Sequence, residues 1–389
     1  MPPTQTNPQP TRLWLLEHVC PYWHERIVDP EGGFFEGLDG DGRALVSPLK
    51  TVLNQARLTY VFSHASVMGG GDMMRGAADH GFDFLRRASV LTGCFEGWHR
   101  TTTSQGEIID PACDAYDQAF VIFAMAWYHR ASGLPEAVHL AEQAWGFFES
   151  HLADVNHGGF FEEYPATDKL PRRQNPHMHL LEAVLAMHAA TGHAVWLDRA
   201  TRLITLFTRV FFDEKTGSLA EFFDAVWQSA KGAPGLLREP GHQFEWVWLL
   251  HQYVLQAGTT TGVDLEPYAA RLFDFGSRHG IDAAGQLRGV VIDAVTPQGL
   301  ELATSKLLWP QTEYIKACIA RYEATKDPSF RQSAVSHMAL MRTHFFRSDG
   351  ANWINHVARD GAALVTQTPS RVLYHLFLAA SELVRIEEA

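Results

Sequence analysis

Apolar residues recur at i, i+3, i+4 and i+7 along nearly the whole chain, and this spacing predicts about twelve helices. The first runs from Arg12 to Val28 and the last over 369–387, and these two are expected to pair. Between them lie helix pairs at 48–68 with 72–91, 111–132 with 135–153, 176–191 with 194–212, 240–257 with 264–279, and 307–325 with 327–346. Two further signals punctuate the pattern. A glycine-rich stretch with aromatic residues, Gly32-Gly33-Phe34-Phe35-Glu36-Gly37, returns at 93–98, 158–163 and 217–222, with looser copies at 285–289 and 350–353. Such pieces are too short for a sheet core and read as small hairpins. A proline then opens each following segment: Pro48, Pro111, Pro176, Pro240, Pro310 and Pro369, at successive intervals of 63, 65, 64, 70 and 59 residues. Proline suits a first helical turn, where its missing N–H would have no partner. Ser47, Asp110, Asn175 and Thr368 before it are helix-capping residue types.

A helical hairpin of about 60 residues cannot bury both its faces alone. Six of them can close on one another, so the expected fold is all-α, an (α/α)6 barrel of six helical hairpins with short β-hairpin turns; an open helical solenoid is the alternative. Residues 12–389 are expected to form one catalytic domain, and 1–11 a disordered, proline-rich tail.

Composition narrows the function. With 46% hydrophobic and 20% charged residues the chain has ample material for a core. A formal net charge of −12 argues against a nucleic-acid binder, which needs a basic face. No apolar run approaches the ~18 residues of a membrane span, and the N-terminus lacks the order of a signal peptide, so a cytoplasmic protein without membrane contact is expected. Cys20, Cys94, Cys113 and Cys318 form no CxxC pair and read as reduced thiols. A homo-oligomer is compatible with all of this.

Unusual polar residues gather at the proline-started ends, which a barrel would bring to one mouth of its cavity. Lys50, Asn54 and Arg57 share one face at i, i+4, i+7. The 111–132 segment opens with Asp114, Tyr116, Asp117 and Gln118. The next opens with Asn175, His177, His179 and Glu182. His242, Glu245 and Trp246 fall at i, i+3, i+4, and the 307–325 segment opens with Lys306, Trp309, Gln311, Thr312 and Glu313. Arg371 and His375 stand four apart beside Tyr374. His177 and His179 would point their rings about 200° apart on a helix, so no metal is assigned. No cofactor is expected either, since neither a phosphate-binding GxxxxGK[ST] nor a strand–GxGxxG–helix unit is present, and a GxSxG nucleophile elbow is missing too. What remains is equipment for moving protons on a polar, uncharged substrate.

The segments QAR at 55–57, NPHMHLLEA at 175–183, PGHQFEWVWLL at 240–250, WPQTEYIKA at 309–317 and RVLYH at 371–375 resemble the N-acylglucosamine 2-epimerase superfamily, from about residue 12 to 385. That resemblance implies an (α/α)6 barrel and assigns roles by position. His242 and His375 become the acid/base pair, and Arg57 holds the substrate oxygens near C1 and C2. His179 with Asn175 lines the pocket, Glu245 orients a neighbouring histidine, and Tyr116, Trp309 and Trp246 contact the sugar. Gln311, Glu313 and Arg371 complete the substrate-binding set. The expected reaction is aldose–ketose isomerisation of a free monosaccharide, D-mannose to D-fructose, through a cis-enediol. The alternative is a D-mannose/D-glucose, N-acylglucosamine or cellobiose 2-epimerase using the same two histidines. From a different class, an (α/α)6 glycoside hydrolase would need two carboxylates roughly 5–9.5 Å apart, with Asp114 and Glu245 or Glu313 as candidates.

Overall fold

Six of the helical segments are apolar nearly all round and six carry a single apolar stripe, and this difference sorts them into two concentric rings. The computed structural model describes residues 10–88, 97–165, 171–258 and 262–388. Its inner helices are α2 (Val52–Val67), α4 (Ala115–Ser132), α6 (Asn175–Thr191), α8 (Pro240–Ala257), α10 (Trp309–Thr325) and α12 (Leu373–Glu387). The outer ones are α1 (residues 11–27, with a π-helical stretch at Trp14–Val19), α3 (Gly71–Ala88), α5 (Pro135–Phe147), α7 (Ala194–Leu206), α9 (Glu266–Gly280) and α11 (Pro328–Phe345). Burial follows the pattern: α2 is buried without a break from Asn54 to Ala65, whereas α3 buries Met74, Ala77, Ala78, Gly81, Phe82 and Leu85 along one stripe. Each inner helix packs against the next and α12 returns to α2, which closes the (α/α)6 barrel.

The glycine-aromatic stretches are the turns that follow outer helices. Val28 bridges Phe34, Ala153 bridges Phe160, Ile281 bridges Val291, Phe346 bridges Trp353, and Phe212–Asp213 pairs with Ser218–Leu219. An inner-helix glutamine grips four of these turns. Gln55 accepts from Phe34 N at 2.7 Å and donates to Phe34 O at 3.0 Å; Gln118 does the same with Trp98, Gln243 with Leu219 and Gln311 with Val291. His177 takes the equivalent place in α6, its Nε2 accepting from Phe160 N at 2.9 Å. Two glycines are required by this grip. Gly33 (φ +70°) and Gly159 (φ +74°) lie in the left-handed region, and a Cβ there would stand 2.5 Å from Gln55 Oε1 and 3.0 Å from His177 Nε2.

Pro176, Pro240 and Pro310 occupy first turns as expected, but three inner helices start four residues after their proline, α12 following a 3-10 turn at Ser370–Val372. Leu49–Thr51 pairs with Thr101–Thr103, and Cys113–Asp114 with Glu163–Tyr164, so the chain after Pro48 and Pro111 is extended. The caps are consequently Thr51, accepting from Asn54 N, and Asp114, accepting from Tyr116 N at 2.8 Å. Ser47 and Asp110 instead close local turns on Leu49 N and Ala112 N. Gln174 precedes α6 in place of Asn175, and Thr368 pairs with Leu38. The glycine copy at 93–96, Cys94 and residues 1–9 of the expected tail lie outside the described residues, while Thr11 already belongs to α1. No helix among the described residues is long and apolar enough to cross a membrane.

Candidate active site

The six inner helices start at one mouth, and the repeat places corresponding residues at the same level there. Two residues beyond each gripping side chain stand Arg57, Phe120, His179, Glu245 and Glu313, and α12 adds His375. One turn nearer the mouth lie Leu53, Tyr116, Asn175, Gly241, Trp309 and Arg371, each four residues before its partner in the deeper layer. Together these two layers enclose a cavity of 320 Å³ lined by Arg57, Tyr116, Asn175, His179, His242, Glu245, Trp309, Arg371 and His375. Nine of the twelve residues singled out from the sequence therefore meet, drawn from all six inner helices or the turn preceding α12.

The other three do not line it. Trp246 is one residue past Glu245, about 100° further round α8. Its ring stacks on Phe207 at 4.4 Å, and its Nε1 donates to Gln174 Oε1 at 2.8 Å. Gln311 is the turn-gripping residue of α10. Glu313 is fully buried behind the pocket, between His375 and Lys316. Asp114, a candidate in the hydrolase reading, is occupied as the α4 cap and lies 3.4 Å from Arg100. His177 points at the outer ring, as the HxH spacing requires.

His242 and His375 both pack against the Trp309 ring, at centroid distances of 4.9 and 5.7 Å. Their surroundings are opposite in effect. Burial on its own would depress the His242 pKa, but Glu221 Oε2 and Glu239 Oε2 each stand 2.9 Å from its Nδ1 and raise it well above 6.5. His375 is held well below 6.5, first by burial and then by the cations Arg57 and Lys316. Its Nδ1 hydrogen-bonds Glu313 Oε1 at 2.8 Å, but Lys316 Nζ sits 2.6 Å from the other oxygen of that carboxylate and balances its charge. With Nδ1–H donating to Glu313, the Nε2 lone pair is the free one. One ring can therefore give a proton where the other can accept one.

His179 is likewise kept neutral by burial and Arg57, and its Nδ1 hydrogen-bonds Glu182 at 3.1 Å. Arg57 is packed over Phe120 (4.1 Å) and Tyr374 (4.8 Å) and donates to Tyr116 OH at 2.6 Å. Three buried acceptor groups lining the cavity, Asn175 Oδ1, both oxygens of Glu245 and Asn355 Oδ1, have no hydrogen-bond partner among the described residues. Burial and the nearby Glu313 raise the Glu245 pKa well above 4.5.

Donor atoms of His179, Glu182 and Glu245, of Glu221, Glu239 and His242, and of Glu245, Glu313 and His375 lie within 4.8 Å in each group, close enough to hold a cation. In each group, however, the imidazole Nδ1 already hydrogen-bonds a carboxylate, a bond that a metal would have to replace.

Glu221, Glu239, Asp293, Leu307 and Asn355 belong to the site without having stood out as site residues in the sequence. For two of them a signal exists. Glu221 closes a glycine-aromatic stretch as Glu36 and Glu162 do, and Asp293 follows the looser copy. All four carboxylates accept the backbone N–H of a residue just before an inner helix: Thr51, Arg173, Glu239 and Leu307. Asn355 carries no comparable mark.

The chain matches the N-acylglucosamine 2-epimerase (GlcNAc 2-epimerase) family over residues 33–379. It is 31% identical over 379 residues to a mannose-6-phosphate isomerase of Rhizobium meliloti, covering 95% of each chain. Against a cellobiose 2-epimerase of Ruminococcus albus it is 25% identical with 90% of each covered, and against a D-mannose isomerase of Marinomonas mediterranea 27% identical with 89% of each. Among solved structures, a D-mannose isomerase superposes with a TM-score of 0.84 at 23% identity, covering 99% of this chain and 100% of that one, which bears on the fold alone. With the family profile spanning most of its length and these relatives matched nearly end to end, the chain belongs to the N-acylglucosamine 2-epimerase family, as an enzyme of its sugar isomerase and epimerase group.

Proposed function

We propose that this protein interconverts D-mannose and D-fructose through a cis-enediol, with His375 as the base that moves the proton and the His242 imidazolium as its acid partner. The observation that carries this reading is the opposite poise of the two imidazoles on one Trp309 ring. A proton alpha to a carbonyl is weakly acidic, and its removal needs a neutral base on one side and a stabilised oxyanion on the other. His375, with Nε2 free, is the base for the C2 hydrogen. The His242 imidazolium and the Arg57 guanidinium meet the negative charge that develops on the C1 and C2 oxygens. His375 then returns the proton to C1, while the C1 oxygen gains a proton and the C2 hydroxyl sheds one, which yields the ketose with no net change in protons. The acceptors on Asn175, Glu245 and Asn355 that lack partners suit the hydroxyl donors of an open-chain sugar.

One relative, a D-mannose isomerase, supports mannose as the substrate, and a second, a mannose-6-phosphate isomerase, supports a mannose skeleton with a phosphate on it. The same pair of histidines would also serve 2-epimerisation, the reaction of the cellobiose 2-epimerase relatives, if the proton returned to the opposite face of C2. Incubation of the purified protein with D-mannose in D2O, followed by NMR, separates the outcomes. Fructose carrying deuterium at C1 or transferred protium is expected. Glucose would replace isomerisation with epimerisation, and unchanged mannose would overturn both.

A further inference from the structure

The barrel is hollow at both ends. Opposite the catalytic mouth, the C-terminal halves of α2, α4, α6, α8 and α12 surround a second cavity of 380 Å³, whose lining includes Phe123, Trp127, Arg130, Glu182, Ala186 and Trp248. It reaches solvent, since Arg12, Arg385 and Glu388, with side chains 41%, 43% and 54% exposed, also line it. Between the two cavities stand His179, which lines the catalytic one, and Glu182, which lines the far one. Glu182 Oε2 accepts from Tyr374 OH and hydrogen-bonds His179 Nδ1, while its Oε1 has no hydrogen-bond partner among the described residues. Glu182 lines the far cavity but not the catalytic one. A cavity of that size, with Arg130, Gln252, Gln256 and Glu382 among its mostly apolar walls, has room for water.

We propose that Glu182 is a proton relay connecting His179, and through it the bound sugar, with solvent at the far end of the barrel. The proposal rests on the sugar isomerase or epimerase reading of the catalytic pocket. A sugar lodged between Trp309 and Arg57 fills the near mouth, so the proton that the C2 hydroxyl sheds and the one that the C1 oxygen gains need another path. The step balances within the carboxyl group. His179 Nε2 takes a hydroxyl proton from the substrate, and its Nδ1 proton passes to Glu182 Oε2. The proton on Oε1 leaves to water in the far cavity while the C–O double bond shifts from Oε2 to Oε1. Reversal of these steps brings a proton from water to the C1 oxygen and resets the pair, so the isomerisation gains and loses none overall.

The relay requires Glu182 to arrive protonated, and burial pushes its pKa up to about 7, with Lys316 and the Tyr374 hydroxyl opposing and Glu313 adding to the rise. Around it also stand Arg57 on α2, His179 on α6 and Glu245 on α8; α4 offers Arg130 further out in the cavity, and α12 offers Glu382 there. The protonated form fades as pH rises through about 7, so the relay contributes a decline in kcat on that side.

Glu182→Gln tests this, because the amide oxygen still accepts from Tyr374 and His179 but cannot pass a proton through. For turnover of D-mannose, kcat is expected to fall at least about tenfold with KM changed less than about threefold, and the part of the decline near pH 7 to disappear, leaving the alkaline limb set by His242. Ala186→Trp, one turn beyond Glu182, fills the far cavity without touching the catalytic pocket. It is expected to lower kcat similarly, with no further loss in the double variant. Should Glu182→Gln fail to fold, Ala186→Trp carries the test. Normal kcat and an unchanged pH profile in either folded variant would overturn the relay while leaving the pocket's function intact. A wild-type protein that turns over no aldose would instead remove the reading on which the relay rests.

Discussion

The His242 side of the pocket and the His375 side are built from the same residue type against one Trp309 ring, yet they are set to opposite charge states. On the His242 side two carboxylates converge on one Nδ1, and no cation is bonded to either oxygen facing the ring. On the His375 side a single carboxylate does so, and Lys316 balances it from behind. Burial disfavours the imidazolium equally in both places. What differs is the charge beyond the first hydrogen bond, and that difference decides which ring gives a proton and which takes one. The residues that settle the assignment are therefore the partners, Glu221, Glu239, Glu313 and Lys316, more than the histidines themselves.

The comparison breaks most completely when either ring is removed. His242→Ala and His375→Ala are each expected to lower kcat by about 10³-fold with the fold preserved, measured by fructose formation and circular dichroism. The next largest effect comes from Lys316→Met, which leaves Glu313 uncompensated in the interior. Stability is expected to fall by about 3 kcal/mol in thermal or urea unfolding. Since Lys316 is one of the cations holding the His375 pKa down, that pKa rises, and the acid limb of kcat/KM moves to higher pH.

Subtler changes sharpen the contrast. In Glu221→Gln one of the two charges that raise the His242 pKa is gone, so the imidazolium is lost at lower pH and the alkaline limb of kcat moves down. A shift of about one pH unit is expected, which is about tenfold in activity at a fixed pH on that limb. Glu239→Gln should move the same limb in the same direction but less, because the Glu239 side chain is 31% exposed against 4% for Glu221 and water screens it. An equal or larger shift in Glu239→Gln would mean that the buried carboxylate is not the principal partner.

Much of the barrel was legible in the prolines and glycines, because each hairpin repeats one solution to one problem: an inner helix start tied to a glycine turn. The error at Pro48 and Pro111 arose where the repeat was overridden by strand pairing with a neighbouring hairpin, a contact between segments about 50 residues apart that periodicity does not encode. The site followed the same division. Arg57, His179, Glu245 and His375 were visible as polar residues in apolar helices. Gln311 was polar for a different reason, since it grips Val291 as Gln55 grips Phe34. Trp246 was assigned to a shared face with His242, but its place on α8 turns it to Phe207. Glu221 acts on His242 across a loop, and only the recurrence of an acid after each glycine turn hinted at it.

Histidine charge and tautomer can be read directly by nitrogen NMR of the imidazole rings, with His242→Gln and His375→Gln spectra used for assignment. At pH 7.5 the account predicts a His242 imidazolium carrying protons on both nitrogens and a neutral His375 with its proton on Nδ1. Both rings neutral, both charged, or His375 charged while His242 is not would contradict it.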